Sequence, residues 1–168
     1  MLDDEDEGVL AAASATVGDL RFLDVEKWAD TMAELSNHPL PVVRRNLVPF
    51  LRDYLEQYPD DKRRLLPMLW MDGDEVVRTR MRELLMRMEE VAPDHFAARL
   101  HDFVAQGCDL EPLWAPLTLR RPDRSGAWQA YLKGEAEQPT LPERPPVAEN
   151  LLDGDIEGEI NQELGFLD

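Results

Sequence analysis

From Asp24 to Lys133 the apolar residues recur at intervals of three and four, broken at short range by proline, glycine, asparagine and aspartate. That period marks one face of a helix, and the breaks predict a succession of short helices. Val25, Trp28, Met32 and Leu35 form a first stripe behind Asp24 as N-cap, and Asn37-His38-Pro39 ends it. A second helix opens near Pro41 and carries Val43, Leu47, Phe50, Leu51, Tyr54, Leu55 and Tyr58, with a kink predicted at Pro49, whose ring removes a backbone donor. Asp60 or Asp61 caps a third, through Leu65, Leu66, Met68, Leu69 and Trp70, and Met71-Asp72-Gly73-Asp74 reads as a turn.

A fourth helix runs from Glu75 to about Val91, with Val76, Val77, Met81, Leu84, Leu85 and Met88 inward and Arg78, Arg80, Arg82 and Arg87 on other faces. Asp94 opens a fifth, through Phe96, Leu100, Phe103 and Val104, which Gly107 closes. Ser125 to Lys133, with Trp128, Tyr131 and Leu132, forms a last short helix before Gly134. Upstream, residues 1–8 form a disordered acidic leader and Val9 to Val17 a weak Ala-rich helix.

Part of this pattern repeats. Pro41–Leu51 lies over Glu75–Leu85 at an offset of 34 residues, and the same offset carries Pro59-Asp60 onto Pro93-Asp94, Leu66 onto Leu100 and Leu69 onto Phe103. A period of this size marks stacked helical hairpins, each too small to bury its own apolar face. The third unit keeps its first helix, but Glu111-Pro112 stands where Val77-Arg78 would fall. Leu110, Leu113, Trp114, Leu117 and Leu119 still supply apolar surface there, as a terminal cap requires.

Leu65-Leu66-Pro67-Met68-Leu69 followed by Asp72-Gly73-Asp74-Glu75-Val76-Val77-Arg78 resembles the HEAT-repeat family, with Asn37-His38-Pro39-Leu40-Pro41-Val42-Val43-Arg44 as a second instance whose turn has His in place of Asp. The resemblance covers roughly residues 24–106. It implies an all-α fold, a short right-handed α-solenoid of antiparallel helix pairs with about three units and capping helices, and a role in binding proteins without catalytic residues. The residues add a physical expectation of their own: Val42-Val43 and Val76-Val77 anchor the second helix of each pair, while Arg44 and Arg78 reach turn carboxylates such as Asp72 and Asp74.

Charge divides the chain. Residues 1–37 hold ten carboxylates against Arg21 and Lys27, a net −8, and residues 135–168 hold ten against Arg144, a net −9, which together account for the whole −17. The repeat block between them is neutral, so phosphate backbones are repelled by the molecule and nucleic acid is not an expected partner. One cysteine, Cys108, excludes an internal disulfide and suits a cytoplasmic location. No secretory signal or membrane-spanning apolar run is apparent.

Beyond Gly134 the sequence changes character. Residues 135–148 form a Pro-rich linker. In residues 149–168 Leu152, Ile156, Ile160 and Leu164 fall every fourth position among Asp153, Asp155, Glu157, Glu159 and Glu163, and Phe166-Leu167 closes the pattern. The composition is that of a flexible tail that orders when it docks on a partner or back on the repeats.

Candidate chemistry is sparse. His38, His95 and His101 are too dispersed for a metal cluster, no phosphate-binding loop occurs, and Cys108 has no adjacent base. No cofactor or catalytic residue is expected. The expected function is that of a protein-binding scaffold, adaptor or accessory subunit, with Arg45, Arg80 and Arg82 as a basic ridge and Leu152, Ile156, Ile160, Leu164 and Phe166 as docking residues. Two other classes stay open: an acidic inhibitor that mimics nucleic acid, and a chaperone for a redox enzyme, the latter resting on Pro93-Asp94-His95-Phe96 and the helical build.

Overall fold

A computed structural model describes residues 6–141. They form nine α-helices and two short 3₁₀ segments, with no strand among the described residues. No helix among them is long and apolar enough to cross a membrane. The helices are α1 (Glu7–Ala15), α2 (Val25–Ser36), α3 (Pro41–Leu47), α4 (Leu51–Gln57), α5 (Leu65–Trp70), α6 (Glu75–Val91), α7 (Pro93–Ala105), α8 (Glu111–Arg120) and α9 (Pro122–Leu132).

The start of the chain departs from expectation. Helix α1 begins at Glu7, inside the stretch assigned to a disordered leader, because the Asp6 carboxylate accepts from the amides of Gly8 and Val9 and caps it. A 3₁₀ segment, Val17–Phe22, then leads into α2. Gly18 in this segment lies under the Phe50 ring, where an added Cβ would fall 2.3 Å from the ring edge, so only glycine permits the contact. Asn46 fastens α1 to α3 by donating to the Ala11 carbonyl and the Ser14 hydroxyl, each at 3.0 Å.

Pro49 has the effect its chemistry dictates. The helix that Pro41 opens tightens into 3₁₀ geometry at Val48–Phe50 and resumes as α4. Between α4 and α5 the chain passes through Asp61 and Arg64 at positive φ, 40° and 57°. Asp61 is buried there, and both its oxygens accept from the first amides of α5, Leu65 and Leu66, at 3.0 Å. Those bonds offset the cost of the left-handed backbone.

Helix α2 packs on α3, α5 on α6, α6 on α7 and α8 on α9. Helices α2 and α5 also touch, as do α3 and α6. One continuous core runs through these contacts, with Trp28, Met32, Val43, Leu47, Leu51, Leu65, Leu69, Val77, Met81, Leu85, Phe96, Leu100, Leu113 and Trp128 all fully buried. Each large apolar side chain buried in this way contributes about 1.5–3 kcal/mol relative to exposure. Aromatic pairs connect helices two apart along the chain: Trp28 of α2 meets Tyr54 of α4 edge-on at 6.2 Å, Trp70 of α5 meets Phe103 of α7 at 5.4 Å, and Phe96 of α7 meets Trp128 of α9 at 4.9 Å.

Four assignments need correction. Val25, Val76, Val104 and Leu119 lie exposed rather than in the apolar stripes: Val25 and Val76 open their helices, Val104 lies in the last turn of α7, and Leu119 faces away from the buried Leu117. Asp94 does not cap α7: Ala92 occupies the N-cap position with Pro93 in the first turn, and the Asp94 carboxylate instead accepts from Gln138 Nε2 at 2.6 Å. Helix α9 starts at Pro122, three residues before Ser125, as a first-turn proline allows. Arg78 does not reach a turn carboxylate: it donates to the Asp72 carbonyl at 2.5 Å and to the Glu75 carboxylate. The other docking residues, Leu152, Ile156, Ile160, Leu164 and Phe166, and the second half of the linker lie outside the described residues.

Candidate protein-binding surfaces

The turn between α5 and α6 organises the arginines. Arg44 grips Asp72 with two bonds, Nε to Oδ2 at 2.6 Å and Nη2 to Oδ1 at 2.9 Å, and also donates to the His38 carbonyl. Asp72 in turn accepts from the Asp74 amide at 2.7 Å. Arg45 makes a second bidentate pair with Asp74, at 2.9 and 2.5 Å, while Asp74 caps α6 through the amides of Val76 and Val77. These charge-assisted bonds hold both carboxyls below the usual carboxylate range, the Arg45 pair most strongly at Asp74 and the Arg44 pair at Asp72 against the opposing effect of burial.

Arg80 and Arg45 come together, the Arg80 guanidinium donating to the Arg45 carbonyl at 2.8 Å. Arg82 does not join them. Two residues on along a helix is about 160° round the axis, so Arg82 faces the opposite flank of α6. There it donates to Glu75 at 2.8 Å and to Thr79 at 2.6 Å. Arg78 shares Glu75, and the two guanidiniums pull its carboxyl from an ordinary 4.5 to about 2. Arg78 and Arg82 line a small cleft with Trp70 of α5 and Pro112 of α8. The predicted basic ridge is therefore two separate sites on opposite flanks of α6.

A second surface carried no sequence expectation. Phe22 and Leu23, at the exit of the first 3₁₀ segment, are 74% and 84% exposed, and Val25 is partly exposed beside them. A groove of about 350 Å³ adjoins them, lined by Arg21, Phe22, Val25, Asp53, Glu56 and Gln57. Arg21 bridges the groove by pairing with Asp53, and its guanidinium lies 4.6 Å from the centre of the Phe22 ring. The sequence did contain a signal: Phe22 and Leu23 precede the Asp24 cap and belong to no helical stripe, which leaves two large apolar side chains without a core position. Asp24 caps α2 through the Lys27 amide at 3.0 Å, and this fixes the patch at the head of the helix.

Glu89 and His101 are taken up in structure. The Glu89 side chain is wholly buried at the α6–α8–α9 junction, where Arg121 Nη1 and Trp128 Nε1 donate to it at 3.1 and 3.0 Å and Arg124 Nε completes the set. His101 shares a 3.0 Å hydrogen bond with the Tyr131 hydroxyl. Burial raises the Cys108 thiol above its usual range, which suppresses the reactive thiolate. No group of three or more metal-ligating side chains occurs among the described residues.

No protein-family model matches the chain, and no curated protein or solved structure matches it.

Proposed function

We propose that the chain is a non-enzymatic scaffold or accessory subunit that holds a partner protein, built as a short HEAT-like solenoid in which α2 with α3–α4 and α5 with α6 are successive pairs. The contacts of α2 with α5 and of α3 with α6 support the stacking. The observation that carries the function is the Phe22, Leu23 and Val25 patch beside its groove. Adjacent exposed apolar side chains at the rim of a groove mark protein-binding surfaces, whereas isolated ones do not. The groove's Asp53 and Glu56, and the excess of acid over base in residues 6–37, select a partner segment with an apolar anchor flanked by Lys or Arg.

The test is affinity capture from cells of the source with the full chain and with Phe22→Asp/Leu23→Asp, the two sets of captured proteins being compared by quantitative mass spectrometry. The reading predicts a protein enriched by the parent chain and lost from the variant, with unchanged far-ultraviolet circular dichroism. An identical set from both chains overturns it.

One observation favours a second reading, a mimic of nucleic acid. Asp19, Asp24, Glu26, Asp30 and Glu34 are exposed on an ordered part of the chain, not confined to a leader. Such a mimic competes with DNA for a DNA-binding protein at low salt, and absence of competition removes this reading.

A further inference from the structure

The cleft between α6 and α8 has the chemistry that the acidic C-terminal sequence lacks. Arg78 and Arg82 share the single carboxylate of Glu75, so this trio carries one positive charge in excess. Pro112 is exposed beside the guanidiniums, and the edge of the largely buried Trp70 floors the cleft, which is shallow, about 50 Å³. Residues 149–168 offer the complement: Leu152, Ile156, Ile160 and Leu164 at every fourth position, with carboxylates between them. The other exposed apolar surface repels such a sequence, because Asp53 and Glu56 line it and the surrounding residues 6–37 are themselves acidic.

Reach agrees with charge. Gln138 bonds Asp94 and the Thr140 carbonyl accepts from Arg124, so the described chain leaves from the Val91 end of α6. Arg78 lies near the other end of the same helix, about 20 Å away at about 1.5 Å per residue. Residues 142–151, extended at about 3.3 Å each, span about 30 Å, enough to deliver Leu152 to the cleft.

We propose that residues 149–168 dock in cis on the cleft formed by Trp70, Arg78, Arg82 and Pro112. Their carboxylates share the two arginines with Glu75, and a leucine or isoleucine packs over Pro112 and the exposed edge of Trp70. The inference goes beyond the scaffold reading: the docked segment occupies this flank of α6 and leaves the head of α2 to the partner.

Paramagnetic relaxation tests this without any partner, so its outcome is separate from that of the capture experiment. A nitroxide is attached to full-length Asn161→Cys, Cys108 being buried, and amide cross-peaks are compared with the reduced label. The proposal predicts loss of the Arg78–Arg82 and Leu110–Leu113 cross-peaks at low salt, and their recovery in a second variant that adds Ile156→Asp/Ile160→Asp. A mixture of isotope-labelled, nitroxide-free chain with unlabelled, nitroxide-bearing chain should leave them intact. Broadening confined to residues next to Leu141, broadening centred on Phe22–Val25, or broadening in the mixed sample would each overturn docking in cis at this cleft.

Discussion

Two seams hold the helix pairs together, and arginine seals both, but in different ways. The seam from α3 to the α5–α6 turn uses Arg44 with Asp72 and Arg45 with Asp74, bidentate pairs at the molecular edge that double as caps for α6. The seam from α6 to α8 and α9 uses Glu89, wholly enclosed, with Arg121, Arg124 and the Trp128 indole around it. Of the two pairs in the first seam, Arg45 with Asp74 is partly exposed and can exchange with water when it breaks, so it contributes modestly, while Arg44 with Asp72 is largely enclosed and contributes more. An enclosed carboxylate that loses its partners has nowhere to go. The first seam therefore joins α3 to the α5–α6 turn, while the second decides whether α8 and α9 stay attached.

The largest effect should follow from breaking the second seam. Glu89→Ala leaves Arg121, Arg124 and the Trp128 N–H without their shared acceptor and is expected to cost about 3 kcal/mol, the low end of the range for a broken buried pair, because both guanidiniums keep contact with water and other partners. Thermal unfolding would register this as a fall of about 10 °C, at about 2–4 °C per kcal/mol for a domain of this size. An effect below that of the edge variants contradicts the ranking. Asp72→Ala breaks the first seam and frees the Asp74 amide, with an expected loss of about 2 kcal/mol, as for hydrogen bonds to charged groups. Urea midpoints of the two variants and their double test independence, since the seams share no residue.

Acid sharpens the contrast. Asp72, Asp74 and Glu75 are all held below their ordinary range, Asp72 by Arg44 against burial, Asp74 chiefly by Arg45 and Glu75 by Arg82 and Arg78. A carboxyl depressed in the fold contributes stability above its unfolded value and loses it as pH falls toward the folded one. Stability should therefore drop from about pH 4.5 downward, through the window for Glu75 that ends at about 2. Asp61 acts oppositely, since burial raises its carboxyl and protonation relieves that burial. Glu75→Gln should flatten part of the acid limb in pH-dependent melting, and an unchanged limb would assign the acid sensitivity elsewhere. The smallest stability effect is expected at Leu23→Asp, within about 0.5 kcal/mol as for surface sites in general; a melting temperature well below the parent's would mean that Leu23 has a packing role.

The repeat made the first seam legible. Arg44 and Arg78 stand at equivalent positions, Asp72 and Asp74 sit in a recognisable turn, and the bounds of α6 followed from Asp74 and the periodicity after it. Glu89 was not legible, because it lies outside the matched segment and an acid at the edge of an apolar stripe reads as solvent-facing. The split of Arg80 from Arg82 was implicit in helix geometry, but a run of arginines in one dimension suggests a single ridge. The Val17–Phe22 segment escaped because 3₁₀ geometry follows neither period, and the patch at Phe22 and Leu23 escaped with it. Packing across elements, as between Gly18 and Phe50, is set by residues far apart in sequence and leaves no local pattern.

The central claim is that the face at the head of α2, and not the arginine flanks of α6, receives the partner. Hydrogen exchange on the purified complex tests it directly. The account predicts slowed exchange in peptides covering residues 19–28 and 51–58 when the partner is bound. Protection confined to residues 75–91, with the α2 head exchanging as in the free chain, would contradict it.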